Sequence, residues 1–425
     1  MHKSCVVWAF CLALAGCGGL SAAPPTQLDP LSQIKANLAF TCKHEQYPQP
    51  SADSDVLFHY ARWLQKNNQL KQDKAVDAQI ERLYRIAAEN GHAKASINLQ
   101  NGALDGHYTL SGDEQLRLSQ HLIDAKVATG YLFVGLFLQR GAMALKKDPE
   151  MALRYYRKAA DEGSADAQAY VASKLAPKDV APDIAKQMRS CAADQGNGEA
   201  ASLLGIYLQE DKRYPEALVA FQQGVAAGDE SSASFLSEGF RATKPEDQMY
   251  FLGQLEDFER AKRYERIGKI LGDYSYAHPK IPEINEIVPL PPAKLPAWDG
   301  KLKWVEERKA NISPPKPSEA LIEQLAKAKG LDPATGRPLP GSHAFIRTDE
   351  FQICHSGQPC PRAGFWRVHW SAGRTIVKTE TIRPFKEGDI FPSWDVKRFI
   401  VRPWPLKDKT TLTNEAVEWS FYGDA

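Results

Sequence analysis

The sequence predicts an α+β protein, with an N-terminal α/α superhelical repeat array followed by a small C-terminal β-rich domain. Three observations predict it. Paired alanines followed by glycine recur at a nearly constant spacing through the first half of the chain, a period that marks stacked helical units. Strand-length apolar segments and five of the nine tryptophans crowd toward the C-terminus. Between the two lies a stretch with six prolines, at positions 279, 282, 289, 291, 292 and 296, which no helix or central strand tolerates.

The 425 residues are 43% hydrophobic and 25% charged, the balance of a folded chain of two to three domains. Lys plus Arg number 53 and Asp plus Glu 52, so the basic surplus of a nucleic-acid binder is absent. Only the first twenty residues approach membrane-segment character, and they fall short of a spanning helix.

Those residues give an address. His2 and Lys3 precede an apolar run from Val6 to Ala15, which has the length of a signal peptide. The run ends in Leu14-Ala15-Gly16-Cys17, which matches the bacterial lipoprotein signal. Small residues admit the peptidase, and the Cys17 thiolate takes the diacylglycerol. Residues 1–16 are then the signal, with an ordinary secretory cut near Ala23 as the competing reading. At about 0.8 kcal/mol per buried CH₂, two or more acyl chains make a stable anchor. Gly18 and Gly19 follow the anchor where Asp would hold an enteric lipoprotein in the inner membrane, so the expected location is the outer membrane, facing the periplasm. Residues 17–40 form a lipidated tether. Membrane contact is expected through the lipid anchor only.

Outside signal and anchor, four cysteines remain: Cys42, Cys191, Cys354 and Cys360. An even number in an oxidising compartment implies disulfides. Cys354 and Cys360 flank a loop with Gly357 and Pro359 and are the preferred pair; Cys42–Cys191 is what remains by elimination. The rival reading of the first pair is a zinc site with His343, His355 or His369, but the paired CxxC spacing of structural zinc is absent. No metal and no cofactor are expected.

The repeats occupy residues 41–275. Glycines at 91, 130, 163, 196 and 228 follow one another at intervals of 39, 33, 33 and 32 residues. Four segments share the pattern AAENGHAKA (87–95), AADEGSADA (159–167), AADQGNGEA (192–200) and AAGDESSA (226–233), with a weaker copy at 127–135. Paired alanines allow two backbones to cross closely, and glycine supplies the left-handed exit from the helix. Leu252, Leu255, Phe258, Ala261, Tyr264, Ile267 and Leu271 recur at helical steps and predict a closing helix or pair over 245–273.

Residues 276–311 form a proline-rich strap. Ile281, Ile284, Ile287, Val288, Leu290, Leu295 and Trp298 are too apolar for a free linker, so the strap is expected to lie extended on the array or on the next domain. Residues 312–425 hold a helix from Ser318 to Gly330 and then strands at 344–353, 364–370, 374–383, 398–402 and 416–422, with a turn at Ser371-Ala372-Gly373. Trp366, Trp370, Trp394, Trp404 and Trp419 fit the core of a small β domain.

Ala152, Tyr156, Ala159, Ala160, Gly163, Ala165 and Ala167, with Leu204-Gly205-Ile206-Tyr207, resemble the SEL-like class of tetratricopeptide-related repeats over residues 75–240. The resemblance implies an antiparallel α/α superhelix used for protein binding, not catalysis. Asn285 to Pro292, Lys329 to Gly336 and Gly357 to Trp366 are similar to a lipoprotein family in which such repeats precede a C-terminal domain of unknown function. Cys360-Pro361-x-x-Gly364-x-Trp366, followed by Phe385, Gly388 and Pro392, is also similar to immunity proteins encoded beside secreted antibacterial toxins. Some periplasmic SEL-repeat lipoproteins of Gram-negative bacteria are immunity partners of type VI secretion phospholipases. No catalytic residue is carried over by these likenesses.

The chain lacks a Gly-x-Ser-x-Gly elbow, a phosphate loop, a dinucleotide glycine pattern and His-Glu-x-x-His, so an enzyme is not expected. The expected function is neutralisation of a secreted toxin by protein–protein occlusion. An envelope scaffold that organises native periplasmic proteins is the alternative. The array face and the loops from Cys354 to Gly364 are the expected contact surfaces.

Overall fold

The computed structural model describes residues 38–423, apart from 144, 242–243, 246–248, 341, 343–352, 370–374, 378–381 and 401–408. The Cys17 anchor, His343, Trp370 and Trp404 lie outside the described residues. The chain divides into two bodies: residues 47–152 with 311–425, and residues 1–46 with 153–310.

The first body contains α1 (Ala52–Asn68), α2 (Lys74–Glu89), α3 (Ala93–Leu104), α4 (Gly112–Asp124) and α5 (Thr129–Arg140). Ser51, Asp73, His92 and Ser111 cap the first four, each side chain accepting a backbone N–H of the first turn. Leu57, Ile80, Leu83, Leu99 and Leu118 form the core between these helices. Ile322, Leu325, Ala326 and Leu331 join the same core from α15 (Glu319–Ala328) and the turn after it. The segment after α15 is fastened by side chains of α2. Arg82 donates to Pro333 O at 2.6 Å and pairs with Glu319, while Arg85 donates to Thr335 O at 3.3 Å. The motif Lys329 to Gly336 is therefore a docking loop.

The rest of the first body is β structure. β1 (Ile353–His355), β7 (Glu418–Gly423), β2 (Gly364–His369) and β4 (Ile382–Phe385) make one antiparallel sheet in that order. β3 (Thr375–Val377), β5 (Trp394–Ile400) and β6 (Lys409–Glu415) make a second. Trp366, Trp394, Trp419 and Phe391 fill the core, as expected of tryptophans in a small β domain. The strand expected at 398–402 starts earlier, at Trp394. β6 is absent from the sequence reading, because Lys409-Thr410-Thr411-Leu412-Thr413-Asn414 lacks apolar alternation and gains its place by pairing with β5.

α6 (Pro149–Asp161) spans the division. The second body continues with α7 (Ala165–Leu175), α8 (Pro182–Asp194), α9 (Gly198–Glu210), α10 (Tyr214–Ala227), α11 (Glu230–Gly239) and α12 (Phe258–Asp273). Its core runs from Leu204 and Phe221 through Leu236 and Tyr264 to Ile281, Ile284, Val288 and Leu302. The strap thus supplies core residues to this body. It also holds the one-turn helix α13 (Ile284–Ile287), where extended chain is expected from the prolines, and ends in α14 (Lys303–Ala310). Gly253, at φ +63, and the capping residue Asp257 delay the closing helix to Phe258. Leu255, expected in the core, is consequently 90% exposed, and Phe258 is 56% exposed. No helix among the described residues is long and apolar enough to cross a membrane.

The repeat glycines have two jobs. Gly91, Gly163, Gly196 and Gly228 all adopt positive φ, as the helix exits require. Gly130 does not. It lies inside α5, where a Cβ would come within 2.6 Å of Ser119 O, and Lys126 takes the left-handed turn instead. Two of the exits are also crossed by extended chain. A Cβ on Gly163 would fall 2.7 Å from Glu45 N, and one on Gly228 would fall 2.0 Å from Pro279 O. Gly91 has open space around it. Gly91→Ala is therefore expected to cost roughly 1 kcal/mol, the backbone penalty alone, and Gly228→Ala roughly 3 kcal/mol. Urea unfolding of the two variants checks the ordering.

Candidate protein-binding surface

The strap is held by donors that reach its backbone. Gln222 Nε2 donates to Val288 O at 2.7 Å, and Arg263 Nη1 to Ile287 O at 2.8 Å. Arg260 donates to Pro289 O and Ala293 O. Tyr264 Oη donates to Gln222 Oε1 at 2.6 Å and so fixes the amide. Burial pushes the Tyr264 phenol well above its ordinary pKa, which keeps it a neutral donor. These bonds explain Asn285 to Pro292 as the piece that α10 and α12 grip.

The clamp sets out a row of aromatic and guanidinium groups. Arg263, Arg266, Ile270 and Tyr274 follow at three- and four-residue steps, which puts them on one face of α12 and its end. From residue 263 to 274 at 1.5 Å each, the row is roughly 16 Å long. The guanidiniums of Arg263 and Arg266 lie 5.9 and 5.5 Å from the Trp298 ring centroid. Trp298 is fixed by its Nε1, which donates to Lys301 O at 2.8 Å. Gly300, at φ +78, leaves the space that the Arg266 guanidinium occupies, since a Cβ there would meet it at 2.4 Å. At the other end Trp304 meets Tyr274 edge-on at 5.5 Å. Arg308 lies 5.4 Å from the Trp304 ring centroid and 5.4 Å from that of Tyr276.

Each cation–π contact contributes about 0.5–1 kcal/mol at partly exposed sites. Their larger consequence is rigidity, because the long side chains are ordered before any partner arrives. Tyr276 is 38% exposed, and Trp298, Trp304 and Tyr274 are half-buried. Trp, Tyr and Arg are the residues that dominate interface energetics when they are presented in this way. The sequence reading missed the row. The signal was two tryptophans and two tyrosines flanking a proline strap, but only the fold shows which of them remain open.

The cysteines correct one expectation. Cys42 and Cys191 are bonded, joining the amino-terminal segment to α8. Cys354 and Cys360, the preferred pair, are separate buried thiols. The reason is that the loop between them pairs elsewhere. Gly357 N donates to Phe391 O at 2.8 Å, Cys360 N to Asp389 O at 2.6 Å and Gly388 N to Cys360 O at 2.8 Å. Burial raises the pKa of both thiols. This pairing also explains why Phe385, Gly388 and Pro392 accompany the Cys-Pro motif: Pro392 O accepts from Ser356 Oγ and Trp419 Nε1. His355 lies on β1, while the His369 side chain lies outside the described residues, so no histidine group is assembled around these thiols among the described residues. His44 lies within 4.8 Å of Cys42 and Cys191, but sulfurs bonded to each other are not thiolate ligands.

Residues 232–339 match the model of a domain of unknown function, DUF6396. No curated protein matches the chain. Among solved structures, Pseudomonas aeruginosa 5086 is 28% identical, with 60% of this chain and 95% of that chain covered and a TM-score of 0.46. The immunity protein Pa5087 from Pseudomonas aeruginosa is 26% identical over 60% and 95% of the two chains, with a TM-score of 0.46. A Sel1 repeat protein from Oxalobacter formigenes is 17% identical over 51% and 87%, with a TM-score of 0.38. The chain is similar to immunity proteins and to Sel1-repeat proteins. The DUF6396 match contains the clamped strap, the docking loop and the whole aromatic–guanidinium row. It ends at residue 339, so the Gly357 to Trp366 motif lies beyond it.

Proposed function

We propose that this is an outer-membrane lipoprotein, acylated at Cys17 and facing the periplasm, that binds a secreted antibacterial toxin of the type VI secretion class and neutralises it by covering its working surface. The observation that carries the reading is the preorganised row on α12, the strap and α14, built from the residue types that make interface hot spots. A neutraliser needs tight stoichiometric binding more than it needs chemistry, and rigid repeats supply a large preformed surface for it. The motif resemblances, from Asn285 to Pro292 and from Gly357 to Trp366, point to immunity proteins of this kind, with lipid-cleaving toxins as the target they imply.

The test is protection. Cells given the toxin encoded beside this chain should survive when the chain is co-expressed in the periplasm. Tyr276→Ala with Arg308→Ala should weaken the complex at least about 30-fold, since two truncated hot-spot side chains cost about 2 kcal/mol or more. Calorimetry reads the loss. Unchanged affinity would remove this row from the interface, and death of the protected strain would sink immunity itself.

A further inference from the structure

Arg189 is 4% exposed, on α8, and its Nε and Nη1 are enclosed without a hydrogen-bond acceptor. Its guanidinium lies 4.7 Å from the ring centroid of Tyr207, the tyrosine of the Leu204-Gly205-Ile206-Tyr207 element on α9. Tyr207 is half-buried, so this stack reaches the surface. The glycine spacing of the array, 33 residues from Gly163 to Gly196 and 32 from Gly196 to Gly228, places Arg189 in register with Tyr156 and Phe221. Both of those pack on an aromatic partner: Tyr156 on Tyr170 at 4.4 Å and Phe221 on Phe235 at 4.8 Å. Arg189 holds its charge at an equivalent position with an aromatic face beside it and no acceptor. A buried guanidinium in that condition is costly to keep, and apolar residues of similar length would fit the stack.

We propose that Arg189 is the anchor for a carboxylate of the protein partner, an Asp or Glu side chain that enters beside Tyr207 and accepts from the guanidinium. With Nε and Nη1 enclosed, the carboxylate meets the guanidinium at Nη2, and the Tyr207 ring fixes the plane of the cation before binding. This deepens the toxin-binding reading and rests on it for the identity of the partner, but its first test needs no partner. In the full mature protein, Arg189→Met should raise Tm by roughly 2–4 °C, because an unpaired buried charge is removed. Sodium acetate should raise the Tm of the unaltered protein relative to sodium chloride at equal ionic strength, and leave Arg189→Met unmoved. A Tm that falls by several degrees in Arg189→Met would show that the charge is structurally paired and overturn the proposal. So would acetate acting equally on both proteins, or phosphate stabilising where acetate does not. The second test is affinity for the inactive neighbouring toxin, which Arg189→Met should lower at least about 30-fold. Full affinity retained, with the acetate effect present, would overturn the role of Arg189 in the complex while leaving immunity standing.

Discussion

Arg85→Ala is expected to destabilise the first body by about 3–5 kcal/mol, the cost of breaking a buried ion pair from one side. Arg85 is 1% exposed and lies between two acids. Its Nε donates to Glu114 Oε1 at 2.6 Å and its Nη1 to Glu81 Oε1 at 2.8 Å. Nη2 reaches Thr109 O at 3.1 Å, and Nη1 also reaches Thr335 O at 3.3 Å. One side chain therefore ties α2 to α4 and both to the loop after α15. Without it, two largely enclosed carboxylates face each other with no cation between them. Arg85→Lys should recover only part of the loss, since a single ammonium cannot span four acceptors. Urea unfolding measures the first effect. Limited trypsin digestion measures the second, because a freed docking loop opens the Lys329–Gly330 bond to cleavage. A variant with native stability and an uncut loop would show that the network does not fasten this segment.

Breaking Cys42–Cys191 should cost about 5 kcal/mol in the chain-entropy description, since the bond closes a loop of sequence separation 149. The surrounding contacts are too slight to replace it. Gln168 Nε2 donates to Lys43 O at 2.9 Å, Gln195 Oε1 accepts from Glu45 N at 2.9 Å, and Arg157 donates to the oxygens of Leu38 and Ala39. Cys42→Ser with Cys191→Ser should lower the urea midpoint and free residues 38–46 for proteolysis. Thiol titration of the unfolded, unreduced chain lacking residues 1–17 should find two thiols, Cys354 and Cys360. Finding none would place a second bond between them and return to the pairing that loop composition favoured.

Much of the fold was legible because its devices are local. An alanine pair before glycine encodes a close crossing and a left-handed exit within six residues, and four of the five marked glycines do adopt positive φ. The fifth, Gly130, misled because glycine has a second use, the close approach of α5 to Ser119 and Ile123. The tryptophan-rich β core was readable by bulk. The Cys42–Cys191 disulfide was reached only by elimination, because its geometry depends on a segment crossing α6 and α8, and nothing near Cys42 encodes that path. The aromatic–guanidinium row was hidden for the same reason: Arg266 finds Trp298 only because Gly300 makes room and the strap is clamped by Gln222, Arg260 and Arg263. Arg189 gave no sequence signal at all, since an unpaired buried cation looks like any other arginine until its surroundings are known.

The central claim is that this chain works by seizing one toxic protein. The most direct measurement is the mass, by light scattering after size exclusion, of what the tagged chain brings down from cells that also make an inactive form of the neighbouring gene's product. A one-to-one complex with that product, lost in the Tyr276→Ala, Arg308→Ala protein, is the expected result. Recovery of only the cell's own envelope proteins, unaffected by those substitutions, would contradict the account and make the chain a scaffold.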